Sequence, residues 1–433
     1  MIALPLMAGN LFQSIISLTD TLFMGRVGED QLAACGISSM FYIVMSMIGY
    51  SMAIGGQILI ARRAGSKDID AIGRISINLL YILGVLGILF FLFISIGSPF
   101  LLGIMFHSES VFNYSIEYLL YRAYGAVPIF LVFALGGFYM GIGETKVIIW
   151  STGTMAIANV LLNYGLIFGR FGLPQLGIKG AGLASMISEV LAFVVVIAHL
   201  FYHHYPRQFH FFKKVSPDWQ SIRKVGKLSA PIVIQTLTGA LGWFIFFVMV
   251  ENYLGKHDLA VSNVLKILYL FLSIPSRGLA TGTNTLVSNI LGQKKPSLMR
   301  LLMRRTSLAS FSITAALIVP LFLFPVSTLH LLTNDTVIIK DAAQVLPVIL
   351  IALLLLSVSA ILFRGVTGSG AVGIALKIEL LIIVVYLIYT WLIIDYLSLP
   401  LGWGWTAEWV YWIVLACGSY FYLKRGAWKK LEI

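Results

Sequence analysis

Residues 75–103 read ISINLLYILGVLGILFFLFISIGSPFLLG, 29 residues with no charged side chain. A helix that crosses a bilayer takes about 20 mostly apolar residues. A barrel strand would be a run of about 10 residues of alternating polarity. The stretch is too long and too uniform for a strand, so it reads as a spanning helix. Eleven similar runs lie at about 2–24, 33–61, 118–142, 147–168, 180–202, 228–253, 260–291, 306–332, 342–366, 372–397 and 404–423. The expected fold class is therefore an all-α integral membrane protein with twelve transmembrane helices. The first run lacks the charged start and small-residue cleavage site of a signal peptide.

Composition agrees with this. Of 433 residues, 59% are apolar and 11% charged, against about 25% charged in an ordinary soluble domain. Disorder is excluded, because it needs low hydrophobicity and high charge. The net charge of +12 raises the question of nucleic acid, but 22 of the 30 Lys and Arg border loops on one side of the spans and 6 border the other. Basic residues stay on the cytoplasmic side. The charge thus labels topology: both termini are cytoplasmic, the span count is even, and no nucleic acid is needed. Cys35 and Cys417 lie far apart and suggest no disulfide framework, metal site or redox motif.

The longest loop, 203–227, is rich in His, Lys and Pro, including His203, His210, Lys213, Lys214 and Pro217. It separates an N-terminal lobe (1–202, helices 1–6) from a C-terminal lobe (228–433, helices 7–12 and a basic tail). The halves match at an offset near 227. Val27-Gly28-Glu29-Asp30-Gln31-Leu32-Ala33 corresponds to Leu254-Gly255-Lys256-His257-Asp258-Leu259-Ala260, and Pro5 to Pro231. Six spans per half make the repeats parallel, related by a pseudo-two-fold along the membrane normal. Secondary transporters use that architecture, with a binding cavity between rocking halves. No phosphate-binding loop occurs, so ATP coupling is not expected. Nor do acids or histidines converge at one depth as an enzyme would need.

The stretch Ser17-Leu18-Thr19-Asp20-Thr21-Leu22-Phe23-Met24-Gly25-Arg26-Val27-Gly28 resembles the first-helix signature of the multidrug and toxic compound extrusion (MATE) family. Ala61-Arg62-Arg63-Ala64-Gly65, Met140-Gly141-Ile142-Gly143-Glu144-Thr145-Lys146, Asn159-Val160-Leu161-Leu162-Asn163-Tyr164 and Gly180-Ala181-Gly182-Leu183-Ala184-Ser185 are similar too. The resemblance covers nearly the whole chain. It departs at the start, where relatives usually carry extra residues before this helix. It implies two six-helix lobes in a bacterial inner (plasma) membrane. It also implies export of drugs and other amphiphilic small molecules, driven by inward Na⁺ or H⁺. No other cofactor is expected, and the protein is expected to work as a monomer.

Charged groups inside a bilayer are costly and default to function. Asp20 lies about five residues, or about 8 Å, inside the outer end of its helix. Asn10, Gln13, Ser17 and Asp20 recur at helical spacing and form one polar stripe. An amide would bridge helices without the charge cost, so a carboxylate there points to ion binding. The resemblance places the ion-coupling carboxylate at Asp20. Asn159 and Asn163 are one turn apart, and oxygen ligands suit a hard cation such as Na⁺. The resemblance maps both onto fifth-helix Na⁺ ligands and Ser185 onto a sixth-helix hydroxyl. Many relatives carry Asp where this chain has Asn163. Glu189, one turn beyond Ser185, is the candidate for the missing second carboxylate.

The second half has no acid between Lys227 and Glu251, and Gly239 falls near where several branches of that family place a Glu. Lys266 and Arg277 lie inside the eighth run, about 20° apart around one helix at 100° per residue. The first lobe therefore reads as acidic inside and the second as basic. Gln13, Ser17, Tyr139, Lys266 and Arg277 are the candidates for lining a substrate cavity. Glu379, Asp395 and Glu408 sit near span ends and read as interfacial. Trp391, Trp403, Trp405, Trp409 and Trp412 read as an aromatic belt. The leading function is a cation-coupled antiporter. A lipid-linked oligosaccharide flippase of related architecture is the alternative, and a basic inner cavity would favour it.

Overall fold

The computed structural model describes residues 2–105, 108–213 and 216–431; Lys214 lies outside them. The described residues form helices and no strands. The chain divides into two compact units, Met1–Ala230 and Pro231–Ile433.

The first unit holds α1 (Ala3–Met24), α2 (Glu29–Ser66), α3 (Ile69–Leu92), α4 (Glu109–Ala123), α5 (Ala126–Ile142), α6 (Lys146–Phe168) and α7 (Ile178–Tyr202). A π-helical turn, Phe93–Gly97, carries α3 into Ser98–Met105. α4 and α5 meet at 51°. Pro128, lacking an N–H, sits in the first turn of α5, where that donor has no intrahelical partner. α6 packs on both α1 and α7, and α4 packs on α2 and α7. The polar faces of α1, α6 and α7 are brought together in this way.

The second unit continues α8 (Trp219–Met249), which contains Pro231, through α9 (Lys256–Leu272), α10 (Ile274–Gly292), α11 (Leu298–Leu323), α12 (Thr336–Gly368), α13 (Val372–Trp391) and α14 (Ala407–Arg425). α9 and α10 meet at 45°, with Pro275 in the first turn of α10. α12 is the central post, packed by α10, α11, α14 and α9. Phe246, Tyr269 and the fully buried Trp405 form an aromatic core beside it.

Among the described residues, eight helices are long and apolar enough to cross a membrane, and counting each bent pair as one span gives ten. α1 and α14 complete the twelve. Their mean hydropathy is lower because α1 carries the polar stripe and α14 is rich in Tyr and Trp. α8 begins at Trp219, so the loop read over 203–227 is partly helix. The segment before it is docked on the first unit. Lys213 Nζ and His210 Nδ1 reach Asp70 at 2.8 and 2.6 Å, and the backbone N–H of Asp218 donates to Asn78 Oδ1 at 2.9 Å. Gly73 permits this approach, because a Cβ there would collide with the Phe209 carbonyl.

Candidate functional site

Asp20 projects from α1 toward α6. Asn163 Nδ2 donates to Asp20 Oδ1 at 2.6 Å and also to Asn159 Oδ1 at 3.0 Å. Asn159 Nδ2 in turn donates to Ser185 Oγ of α7 at 3.2 Å. Four of the residues singled out in the sequence thus form one hydrogen-bonded chain across three helices. Asn159, Asn163 and Ser185 are buried, and Asp20 is half-buried. Gly9 faces α6, where a Cβ would meet Ile148 and Thr152 at ordinary van der Waals distances of 3.4 and 3.5 Å. Gln13 and Ser17 lie exposed along the same helix.

The chain is incomplete at one point. Asn163 Oδ1 is buried and has no hydrogen-bond partner among the described residues. An unpaired buried acceptor costs about 1–3 kcal/mol. A carboxylate, two amides and a hydroxyl, with one carbonyl oxygen left over, are an oxygen set suited to a hard monovalent cation. The same carboxylate also suits a proton.

Glu189 does not join this chain. Its Oε1 accepts from Arg122 Nη2 at 3.2 Å and its Oε2 from the Tyr42 hydroxyl at 2.9 Å. Gly125, at the α4–α5 bend, makes room for it, because a Cβ there would collide with the carboxylate. Arg122 is one of the six basic residues that border the outer side of the spans. It is half-buried against Tyr42, with Cζ 4.2 Å from the ring centroid. Tyr118 precedes Arg122 by one helical turn and also faces it. That spacing was the available signal in the sequence.

Tyr139 is not a lining residue. It is fully buried, and its hydroxyl meets His199 Nδ1 at 3.0 Å within a cluster that includes Phe138 and Tyr205. Lys266 and Arg277 do not share a helix face, because the break at Ser273 puts them on α9 and α10. Lys266 Nζ donates to Asn263 Oδ1 at 2.7 Å and lies 4.6 Å from the Phe247 ring centroid. Arg277 is exposed.

The second unit is not simply basic inside. Glu408, read as interfacial, is 3% exposed. It accepts from Trp243 Nε1 at 2.9 Å, the Tyr269 hydroxyl at 2.7 Å and Trp412 Nε1 at 3.0 Å. Glu379 is equally buried and accepts from the Tyr411 hydroxyl at 2.7 Å. Trp405 is buried too, and Trp409 and Trp412 are half-buried: Trp405 Nε1 donates to Ser262 Oγ and Trp409 Nε1 to the Val348 carbonyl. Trp391 and Trp403 remain exposed. Asp395 is half-buried at a helix end.

A twice-repeated helical unit with a polar chain inside one copy is the form of a secondary transporter. The MatE family model matches residues 5–165 and again 231–392, so each match begins at one of the paired prolines, Pro5 and Pro231. The chain belongs to the MATE family and is a multi-pass membrane transporter of that class. Among similar proteins, the probable multidrug resistance protein NorM of Thermotoga maritima is 23% identical over 378 residues, 85% of this chain and 79% of its own. The probable multidrug resistance protein YoeA of Bacillus subtilis is 25% identical over 373 residues, 85% and 80%. In fold, a MOP superfamily transporter from Pyrococcus furiosus superposes with TM-score 0.91 at 18% identity, covering 99% of this chain and 96% of that one. A Vibrio cholerae MATE transporter superposes with TM-score 0.89 at 19% identity, covering 98% and 95%.

Proposed function

We propose that the protein is a cation-coupled antiporter, driven by Na⁺ or H⁺, that exports drugs or other amphiphilic small molecules by alternating access. The names of NorM and YoeA as multidrug resistance proteins support the substrate class. The observation that carries the coupling is the Asp20–Asn163–Asn159–Ser185 chain with its unpaired Asn163 oxygen. Asp20 is the main coupling carboxylate, and Asn159, Asn163 and Ser185 are its companions. With a cation or proton bound, Asp20 is neutral and tolerates a dry site. Empty and ionised, it requires water or a positive partner. The exposed polar side of α1 at Gln13 and Ser17 supplies water or substrate contacts, and the exposed Arg277 supplies another polar contact in the second unit. Pro5 and Gly9 lie below Asp20 on α1, where a change of charge could bend the helix. The positive-inside bias sets both termini in the cytoplasm, in the inner membrane. The protein works as a monomer, without nucleic acid.

The test is purified protein in proteoliposomes, with dye export followed while the Na⁺ and pH gradients are varied separately. Export that rises with one of the two gradients supports the antiporter. Export indifferent to both would remove it.

A further inference from the structure

Arg122 is a cation whose side chain is only 13% exposed and which has spare donors. One of its nitrogens, Nη2, meets Glu189. Its Nε and Nη1 are buried and have no hydrogen-bond partner among the described residues. Glu189 lies one helical turn beyond Ser185 on α7, and Ser185 ends the hydrogen-bonded chain that starts at Asp20, so the ion pair sits beside that chain; Arg122 and Glu189 both act electrostatically on Asp20. The other titratable groups facing them are Tyr42, Tyr118 and Cys35. Tyr118 shares a hydrogen bond with Ser39 at 3.0 Å. These are phenols and a thiol, which add no charge.

The charge balance of this cluster is therefore set by three groups. Glu189 and Arg122 cancel, and Asp20 alone remains. Net charge is expensive in a low-dielectric interior. One monovalent cation or one proton at Asp20 brings the cluster to neutrality, and a second would overshoot it. We propose that Arg122 is a built-in counter-cation that, by pairing with Glu189, fixes the load of the Asp20 cluster at one monovalent cation or proton per cycle. Arg122 is thus a positioning and charge-setting residue. Glu189 is its counter-ion and not a second ion-binding carboxylate. The inference rests on the reading of Asp20 as the coupling group.

Each charge can be removed separately. Arg122→Gln leaves two uncompensated carboxylates, which call for two cations. Glu189→Gln leaves the free guanidinium beside Asp20, where its spare donors compete with the ion. The double variant Arg122→Gln/Glu189→Gln returns the cluster to one negative charge.

The experiment is ethidium export from proteoliposomes, with the initial rate measured against Na⁺ concentration and against pH separately. The Hill number, which cannot exceed the number of coupled sites, is expected at about one for wild type, for Arg122→Lys and for the double variant. It is expected to rise toward about two in Arg122→Gln. In Glu189→Gln the half-saturating ion concentration is expected to rise at least about tenfold. A Hill number still at one in Arg122→Gln, with an unchanged half-saturating ion concentration in Glu189→Gln, would mean a purely structural ion pair and overturn the proposal. Should the substituted proteins not fold, wild type decides it. Calorimetric titration with NaCl, or proton uptake followed by a pH indicator, should count one ion per chain, and two would overturn it. Asp20→Asn with intact ion dependence sinks the antiporter reading itself. Asp20→Asn that abolishes it, beside an Arg122→Gln still at one, sinks only this inference.

Discussion

Asn163 gives both its amide hydrogens away, one to Asp20 and one to Asn159, and keeps a buried carbonyl oxygen with no partner among the described residues. A side chain held by two donors presents that oxygen in a fixed direction beside the carboxylate. Asn163→Leu removes the donor and the oxygen together. The apparent affinity for the coupling ion should fall by about tenfold, the effect of losing about 1.4 kcal/mol. Asn163→Asp adds a second anionic ligand and should tighten Na⁺ activation, because ligand charge raises cation affinity. Ion-activation curves of dye export check both signs.

Gly125→Ala should destabilise the protein. The added methyl meets the Glu189 carboxylate, and overpacking costs about 1–3 kcal/mol. A methyl group at Gly136 would enter open space. Gly136→Ala should gain up to about 1 kcal/mol from helix propensity. Thermal unfolding in detergent should move the two midpoints in opposite directions.

Glu408→Ala should be more damaging than Glu408→Gln. The alanine leaves the Trp243 indole N–H and the Tyr269 phenol of the second unit without an acceptor, while the Trp412 N–H keeps the Tyr269 oxygen at 2.8 Å; each lost acceptor costs about 1–3 kcal/mol. Glutamine still offers one carbonyl oxygen. Unfolding midpoints rank the two. The ion dependence of export in Glu408→Gln should match wild type, because coupling is assigned to the first unit.

Gly73→Ala should loosen the segment before α8, since the methyl would push against the Phe209 carbonyl. Limited trypsin digestion at Arg207 and Lys213 should then be faster. Asp70→Asn should have a smaller, salt-dependent effect, because exposed ion pairs are weak and screened.

The spans and the Asp20 stripe were legible because both depend on local spacing. Asn10, Gln13, Ser17 and Asp20 share a helix face at any packing, and so do Asn159 and Asn163. Arg122, Glu408 and Glu379 were not legible. Each lies near the end of an apolar run, where a charge next to a loop looks wetted. Burial is decided by helices distant in sequence: Glu189 is 67 residues from Arg122, and Trp243 is 165 from Glu408. The same reasoning failed for Trp405, Trp409 and Trp412. Indole groups suit a membrane interface, but their N–H also suits a buried acceptor. The one local hint was spacing, since Glu408 and Trp412 lie one turn apart, as do Tyr118 and Arg122. Lys266 and Arg277 were placed on one face by treating α9 and α10 as a single helix, and Pro275 had already marked the break.

The most direct test of the account compares wild type with Asp20→Asn in the same proteoliposomes, with Na⁺ and pH gradients imposed independently. The asparagine keeps the size of the side chain and removes its charge. The account predicts that wild-type export follows one of the gradients and that Asp20→Asn loses that dependence, with gradient-driven export at least about tenfold slower. An Asp20→Asn protein that exports at the wild-type rate and still follows the same gradient would contradict it.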